Sequence, residues 1–416
     1  MIRNAVIYLG SSVINKAAPF LLLPLITRFL TPAEFGALSI FLVINGLFFA
    51  VIGMGIHTNI SKSFFSSTRA ELALLIGNML FVLGGASLLI LVLCSGVVLL
   101  MDQLFSMPAE LWIVFPFLSF MMMANTINLT LLRNEGRAYI YALFEVLNTF
   151  LSIAVTVFLL VFLDFGWYSQ VAGLLAANAV FFVVAILYIR NKKYLSLIFR
   201  LDVVRSILKL SLPLIPHVLA GVVIAISDRI FIERMIGLEA VALYSIGYSF
   251  GMIVGLFTDS FVKAWTPWFF KVLQTPTEKV KRDVVRYTYA YFLGVFLLAA
   301  LIALVAIYIL PYVVHESFAG AADYIFWVSM GCAMQGVYKI FFPYLVHISR
   351  TSFLAVSTVV SALINLVLNY FFILNFGAIG AAYSTVLSYA LSAVLVFYYQ
   401  SRHYPMPWAL WRSRCS

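Results

Sequence analysis

The chain has 416 residues, of which 64% are hydrophobic and only 10% are charged, with a mean hydropathy of +1.07. A soluble domain is ordinarily about 45–50% apolar and about 25% charged, so this composition excludes a soluble protein. The net charge of +10 would suggest nucleic acid in a soluble protein. In a membrane protein such a surplus reflects topology, so we predict no nucleic acid partner.

Apolar runs of about 20 residues, long enough to cross a bilayer, recur along the chain. In the first half, the predicted spans are 5–27, 35–57, 72–100, 111–132, 139–163 and 167–189. In the second half, they are 211–236, 240–262, 287–314, 322–346, 352–374 and 378–399. The sequence therefore predicts an all-α polytopic membrane protein with twelve transmembrane helices.

The distribution of Lys and Arg predicts the orientation of these spans. With the N-terminus inside the cell, 21 of the 26 basic residues fall in cytoplasmic segments, three fall outside, and Lys16 and Lys339 fall within spans. Because basic loops stay in the cytoplasm, we predict that both termini are cytoplasmic. The two longest cytoplasmic segments, 190–210 and 263–286, are basic and are predicted to form amphipathic surface helices.

Two weak internal repeats indicate that the second half echoes the first. The segment from Arg28 to Ile40 matches the segment from Arg234 to Ile246, and Leu163-Asp-Phe-Gly166 matches Leu374-Asn-Phe-Gly377. Both matches fall at an outer hairpin. We therefore predict two six-helix bundles, 1–195 and 196–416, related by an axis along the membrane normal, with a central cavity at their interface.

Ionisable residues inside spans are functional candidates, because each costs about 2.5–3.5 kcal/mol to insert at the centre of a span. Lys16, Asp228, Arg229 and Lys339 are the candidate substrate-binding residues; an internal ion pair is the alternative for Lys16. Asp228 and Arg229 are adjacent and point about 100° apart on a helix, so we expect that they do not simply pair with each other. The excess of cations favours an anionic cargo, since basic side chains bind phosphate well.

Two further carboxylates, Glu145 and Asp259, lie near cytoplasmic ends of spans and are expected to pair with nearby basic residues. The amides within spans, including Asn365 and Asn369, are expected to form interhelical hydrogen bonds.

No catalytic or metal-binding signature is present in the sequence. The five histidines have no ligand-type spacing, and GxSxG, HExxH and GxxxxGK[ST] are all missing. We therefore predict no cofactor, no bound metal and no enzymatic activity.

Three stretches carry a family resemblance. They are Arg28-Phe-Leu-Thr-Pro-Ala-Glu-Phe-Gly-Ala-Leu-Ser39; Leu212-Pro-Leu-Ile-Pro-His217 followed by Asp228-Arg229; and Ile364-Asn365-Leu-Val-Leu-Asn369 leading to Phe376-Gly-Ala-Ile-Gly380-Ala-Ala. In this order they resemble the polysaccharide transport family. More narrowly, the chain is similar to Wzx-type O-antigen flippases of the multidrug/oligosaccharidyl-lipid/polysaccharide exporter superfamily.

The resemblance implies a flippase that moves undecaprenyl-diphosphate-linked oligosaccharide units from the cytoplasmic to the periplasmic leaflet of the bacterial inner membrane by alternating access. It implies that Lys16 and Arg229 contact the diphosphate, that Asp228 orients them, and that Lys339 is a further contact. The implied partners are this substrate, membrane lipid, a polysaccharide polymerase and a chain-length regulator. One alternative is a cation-coupled multidrug exporter, which would favour carboxylates deep within the membrane spans. The other is a membrane glycan polymerase or glycosyltransferase, which would need a large loop or a clustered acid/base pair.

Overall fold

The computed structural model of the chain describes residues 2–100, 103–104, 106–212, 215–348 and 351–409. These residues are almost entirely helical, apart from one antiparallel pair of two-residue strands, β1 (Gln103–Leu104) and β2 (Met107–Pro108). The contacts divide the chain into two units, Met1–Val222 and Val223–Ser416. The predicted division at residues 195 and 196 stays a prediction.

The first unit contains eight helices among the described residues and the start of a ninth. They are α1 (Ile2–Phe29), α2 (Pro32–Gly53), α3 (Thr58–Ser63), α4 (Arg69–Leu100), α5 (Val114–Asn134), α6 (Ala138–Phe162), α7 (Tyr168–Asn191), α8 (Leu201–Ser211) and α9 (Ile215–Met235), with a 3₁₀ helix over Ala109–Ile113. Ile76 of α4, Ile127 of α5 and Ile207 of α8 are completely buried in one apolar core. That core therefore holds α8 against the spanning helices.

The second unit begins within α9 and continues through six further helices of the described ranges. They are α10 (Leu238–Val272), α11 (Glu278–Val313), α12 (Ala322–Ile340), α13 (Phe342–His347), α14 (Thr351–Phe376) and α15 (Ile379–His403), with a 3₁₀ helix over Glu316–Ala321. Helix α12 packs against α10, α11 and α15. It therefore lies at the centre of this unit.

Within the described ranges, ten helical segments are long and apolar enough to cross a membrane. Helices α1 and α9, with 28 and 21 residues, correspond to the first and seventh predicted spans but are not among the ten. The protein is therefore a helical multi-pass membrane protein, as predicted. The number of twelve spans stays a prediction.

The sequence repeats coincide with equivalent helix junctions. Helices α2 and α10 begin 206 residues apart, at Pro32 and Leu238. Gly166 precedes α7 and Gly377 precedes α15, and both adopt positive φ, +54° and +70°, a conformation that glycine adopts without steric cost. The repeated Phe-Gly pair thus forms the same tight turn in both units.

The motif Thr31-Pro32-Ala33-Glu34 is a helix start. The Oγ1 of Thr31 accepts a hydrogen bond from the Glu34 N–H at 3.3 Å, and Glu34 Oε2 accepts one from the Thr31 N–H at 2.9 Å. This reciprocal capping box satisfies two N–H groups at the start of α2. Pro32 occupies the first helical position, where its missing N–H costs nothing.

Of the two predicted surface helices, one forms and the other does not. Helix α8 buries Ile207 and exposes Arg205 and Lys209, as an amphipathic helix should. The prediction for 263–286 is wrong, because α10 continues to Val272 and α11 begins at Glu278. That segment extends two spanning helices instead of forming a separate one.

Candidate functional site

Three of the four predicted site residues lie in the second unit with described side chains. Asp228 and Arg229 are on α9, and Lys339 is near the end of α12. The backbone of Lys16 lies in α1, but its side chain lies outside the described part of the structure. The structure therefore brings Asp228 and Arg229 together and places Lys339 in a separate ion pair.

Asp228 is a buried carboxylate with several donors. Its side chain accepts hydrogen bonds from the Arg229 N–H at 2.8 Å, from Tyr244 Oη at 2.6 Å and from Arg229 Nη1 at 3.3 Å. Only 1% of Asp228 and 8% of Arg229 is exposed. The expectation that these neighbours do not pair is wrong, because the long Arg229 side chain folds back towards Asp228.

The guanidinium of Arg229 is held on its other sides as well. Its Nε donates to Ser245 Oγ at 3.2 Å, and its carbon lies 4.1 Å from the ring centroid of Tyr248 and 5.7 Å from that of Tyr244. Contacts of this kind stabilise a cation that has been removed from water. In this conformation, Arg229 is thus part of a closed buried cluster.

Lys339 forms an ion pair that is more accessible. Its Nζ donates to Asp259 Oδ1 at 2.8 Å and to Gln335 Oε1 at 2.9 Å, and 25% of the Lys339 side chain and 38% of the Asp259 side chain are exposed. The expected pairing of Asp259 with a basic residue is confirmed. Its partner is 80 residues away in the chain, since α10 and α12 pack side by side.

A small cavity lies between the buried cluster and the Lys339 ion pair. Tyr244 and Tyr248 line it on the α10 side, and Gln335 and Tyr389 line it on the side of α12 and α15. Gln335 Nε2 donates to Tyr389 Oη at 2.7 Å while Gln335 Oε1 accepts from Lys339. The cavity volume of about 20 Å³ suffices for one water molecule with several polar neighbours. Neighbouring polar side chains therefore connect Asp228 with Lys339 in the interior of the second unit.

The roles of Tyr244, Tyr248, Tyr389 and Gln335 are not predicted from the sequence. A signal for them exists, because Tyr244 and Tyr248, like Gln335 and Lys339, are four residues apart and so share a helix face. Tyr389 carries no such signal. Its role depends on the packing of α15 against α12.

Helices α9, α14 and α15 are joined by a second, uncharged network. Ser227 Oγ donates to Asn365 Oδ1 at 2.9 Å, and Asn369 Nδ2 donates to Ser227 Oγ at 3.1 Å. Asn365 Nδ2 lies 3.2 Å from the hydroxyls of both Ser384 and Ser388. The expected interhelical role of Asn365 and Asn369 is therefore confirmed.

The first unit holds a polar cavity of about 170 Å³ that Glu145, Asn125 and Asn178 help to line. Glu145 Oε1 accepts from Tyr141 Oη at 3.4 Å, while Glu145 Oε2 is buried and has no hydrogen-bond partner among the described residues. No ion pair of Glu145 occurs in the described part of the chain. The expected pairing with a basic residue stays a prediction, because the side chain of Lys16 on the neighbouring α1 lies outside the described part of the structure.

Potential metal ligands do not cluster in the described ranges. No group of three or more His, Cys, Asp or Glu side chains could hold a metal ion there.

Residues 1–273 match the family described as polysaccharide biosynthesis protein. The chain belongs to this family. It is also similar to a protein of the Lsg locus of Haemophilus influenzae, with 25% identity over 380 residues that cover 87% of this chain and 88% of the relative. An uncharacterised membrane protein of the same species is 24% identical over 373 residues, covering 88% and 89%. The family resemblance read from the sequence is confirmed.

Two solved structures share the fold of this polysaccharide biosynthesis protein, each with a TM-score of 0.76 at 16% identity. One is an inward-facing multidrug resistance MATE family transporter of the MOP superfamily, with 96% of this chain and 98% of that chain covered. The other is the lipid II flippase MurJ in an inward closed conformation, with coverage of 96% and 87%. The predicted all-helical transporter fold is confirmed.

Proposed function

We propose that the protein is a flippase that moves undecaprenyl-diphosphate-linked oligosaccharide repeat units, of the kind that build O-antigen, across the bacterial inner membrane. The observation that carries the proposal is the family match over residues 1–273 in a chain whose fold is that of a membrane transporter. A polysaccharide made from lipid-linked units needs a transport step, because the sugar and diphosphate cannot cross hydrocarbon unaided. The protein supplies that step from the cytoplasmic to the periplasmic leaflet.

The diphosphate is recognised by membrane-embedded cations. Lys339 is the described cation best placed for this role, since a quarter of its side chain is exposed and its amine has three donors. Lys16 is proposed as a second contact. Arg229 contacts the diphosphate only after its cluster with Asp228 and Tyr244 has opened, and Asp228 then orients the guanidinium.

Transport proceeds by alternating access, with both termini in the cytoplasm. The charge bias of the loops supports this orientation. Exported repeat units then pass to a polysaccharide polymerase and a chain-length regulator. Cysteine labelling from either side of the membrane, at exposed positions of α8 and at the turn of Gly377, tests the orientation directly.

A cation-coupled multidrug exporter is the second candidate, because the MATE family structure is as similar as the lipid II flippase. An exporter of cationic drugs needs accessible negative charge inside the membrane. Asp228 and Asp259 are each paired with a cation, which leaves Glu145 to supply that charge. The same ion pairs also occupy Arg229 and Lys339, so the family match, and not the balance of charge, favours the lipid-linked substrate.

A deletion strain with an intact initiating glycosyltransferase separates these functions. We expect loss of surface polysaccharide, accumulation of complete lipid-linked units on the cytoplasmic side, and restoration by the wild-type gene. Wild-type surface polysaccharide with no accumulated intermediate, in a strain that lacks a second flippase gene, would contradict the proposal. Increased drug sensitivity in that strain would then favour the exporter.

A further inference from the structure

An apolar groove of about 630 Å³ lies between α10 and α11 in the second unit. We call it the α10/α11 groove and define it by Phe257, Phe261, Trp265, Tyr287, Tyr291 and Gly294. The α10 positions are spaced by about one helical turn and so line one face; the α11 positions do the same. The volume falls within the range of about 300–1,000 Å³ typical of sites for small molecules.

The rim of the groove is exposed, whereas its floor is buried. At its rim, Phe257 is 54% exposed and Tyr287 is 53% exposed, whereas Trp265 on the floor is 5% exposed. Both helices are long and apolar enough to cross a membrane, and exposed aromatic side chains at the rim of the groove suit contact with lipid. A hydrocarbon chain can therefore enter from the bilayer without crossing a polar barrier.

Small residues on α11 create the space. Ala290 and Gly294 both line the groove and are four residues apart. A Cβ placed on Gly294 would meet no other atom within 4 Å, so the space above this glycine is open. Residue 294 is therefore a position from which the groove can be filled without a clash.

The inner wall of the groove leads to the Lys339 ion pair. Tyr291 lines the groove, is 8% exposed, and its Oη has no hydrogen-bond partner among the described residues. A Cβ on Gly336 of α12 would lie 2.6 Å from this oxygen and 2.6 Å from Thr258 Cγ2. Lys339 is three residues from Gly336, which places their Cβ positions about 5–6 Å apart. A cation and a free hydroxyl donor thus lie at the inner side of an apolar groove.

We infer that the α10/α11 groove binds the polyprenyl chain of the lipid-linked substrate while its diphosphate lies towards Tyr291 and Lys339. This inference rests on the proposed function and adds a site for the lipid part of the substrate. An anionic headgroup would compete with Asp259 for the amine of Lys339, and the aromatic lining complements a hydrocarbon chain. Under the predicted orientation, Trp268 and Tyr287 mark the cytoplasmic end, on the side from which the substrate is loaded.

Filling the groove tests the inference with purified protein in lipid nanodiscs. The variant is Gly294→Trp, and the matched control is Gly85→Trp on α4, where a Cβ also meets no atom within 4 Å. The probes are undecaprenyl diphosphate, phosphatidylglycerol and inorganic pyrophosphate. We expect Gly294→Trp to weaken binding of undecaprenyl diphosphate by about tenfold or more, since about 1.4 kcal/mol of lost chain burial corresponds to that factor. The Gly85→Trp control is expected to bind like the wild type.

A photoreactive isoprenoid diphosphate locates the site independently of any substitution. We expect crosslinks on peptides that contain Phe257, Phe261 or Tyr287. Equal affinity of Gly294→Trp and wild type for undecaprenyl diphosphate, with crosslinks elsewhere, would overturn the inference. Equal competition by phosphatidylglycerol would also overturn it, because the groove would then hold ordinary membrane lipid.

The two proposals fail in different ways. If the deletion strain exports polysaccharide normally but the purified protein binds undecaprenyl diphosphate in the groove, the flippase function fails and the binding site stands. If the strain accumulates lipid-linked units but Gly294→Trp binds and complements like the wild type, the groove fails and the flippase function stands.

Discussion

Removing either partner of the Asp228–Arg229 pair should lower the free energy of unfolding of the protein. Among the described residues, the Arg229→Ala variant leaves the Asp228 carboxylate, 1% exposed, with the Tyr244 hydroxyl and one backbone N–H as donors. Breaking a buried ion pair by deleting one partner costs about 3–5 kcal/mol, because the remaining charge stays buried without compensation. That is a large share of the 5–15 kcal/mol by which proteins are typically stable.

The double variant Asp228→Leu with Arg229→Met separates charge burial from loss of packing. Replacing a buried ion pair by apolar residues of similar size is often neutral or stabilising. We therefore expect the double variant to be more stable than Arg229→Ala or Asp228→Ala. The order of stability is measured by heating the detergent-solubilised variants and quantifying the protein that remains folded by size-exclusion chromatography. Single variants as stable as the wild type would refute the argument that Asp228 and Arg229 form a closed buried pair.

Three other predictions concern single positions, two of them with matched controls. Lys339→Ala should lower surface polysaccharide at unchanged protein level, whereas Lys339→Arg keeps the charge and should retain part of the activity. Equal surface polysaccharide in the wild type and both variants would show that Lys339 is not part of the substrate site. Asn365→Leu should cost about 0.6–2 kcal/mol of stability per hydrogen bond lost, while Asn375→Leu, which loses only a bond to its own helix, should cost less in the same denaturation assay. Gly336→Val should destabilise the protein, because the valine side chain would clash with Thr258 and Tyr291. The control Gly85→Val should not, and equal melting temperatures of the two variants would contradict the close packing around Gly336.

Features fixed by local physics could be predicted from the sequence. Long apolar runs predicted a multi-pass membrane protein, and ten helical segments of the described ranges are long and apolar enough to cross a membrane. The Phe-Gly repeats at Gly166 and Gly377 marked equivalent turns because positive φ favours glycine. The candidate cations were found because charge inside a membrane span is costly. These inferences needed only residue type and spacing along one helix.

The partners of the candidate residues could not be predicted in the same way. Lys339 meets Asp259 from 80 residues away, and Gln335 meets Tyr389 from 54 residues away, so their pairing depends on helix packing. Helix geometry alone predicts that the adjacent Asp228 and Arg229 point apart, but the arginine side chain is long enough to fold back onto the carboxylate. The groove was missed because a glycine and an alanine on α11 create it, and small residues leave no signal in hydropathy.

Transport by the purified protein tests the central claim most directly. Lipid-linked oligosaccharide extracted from the deletion strain is placed in vesicles, and a glycosidase that cannot cross the membrane reports how much of it reaches the outer leaflet. With the protein present, under an imposed proton or sodium gradient, we predict that the enzyme digests nearly the whole pool, and that vesicles without protein protect the inner leaflet. Protection of the inner leaflet in both preparations, under every gradient, would contradict the proposed flippase.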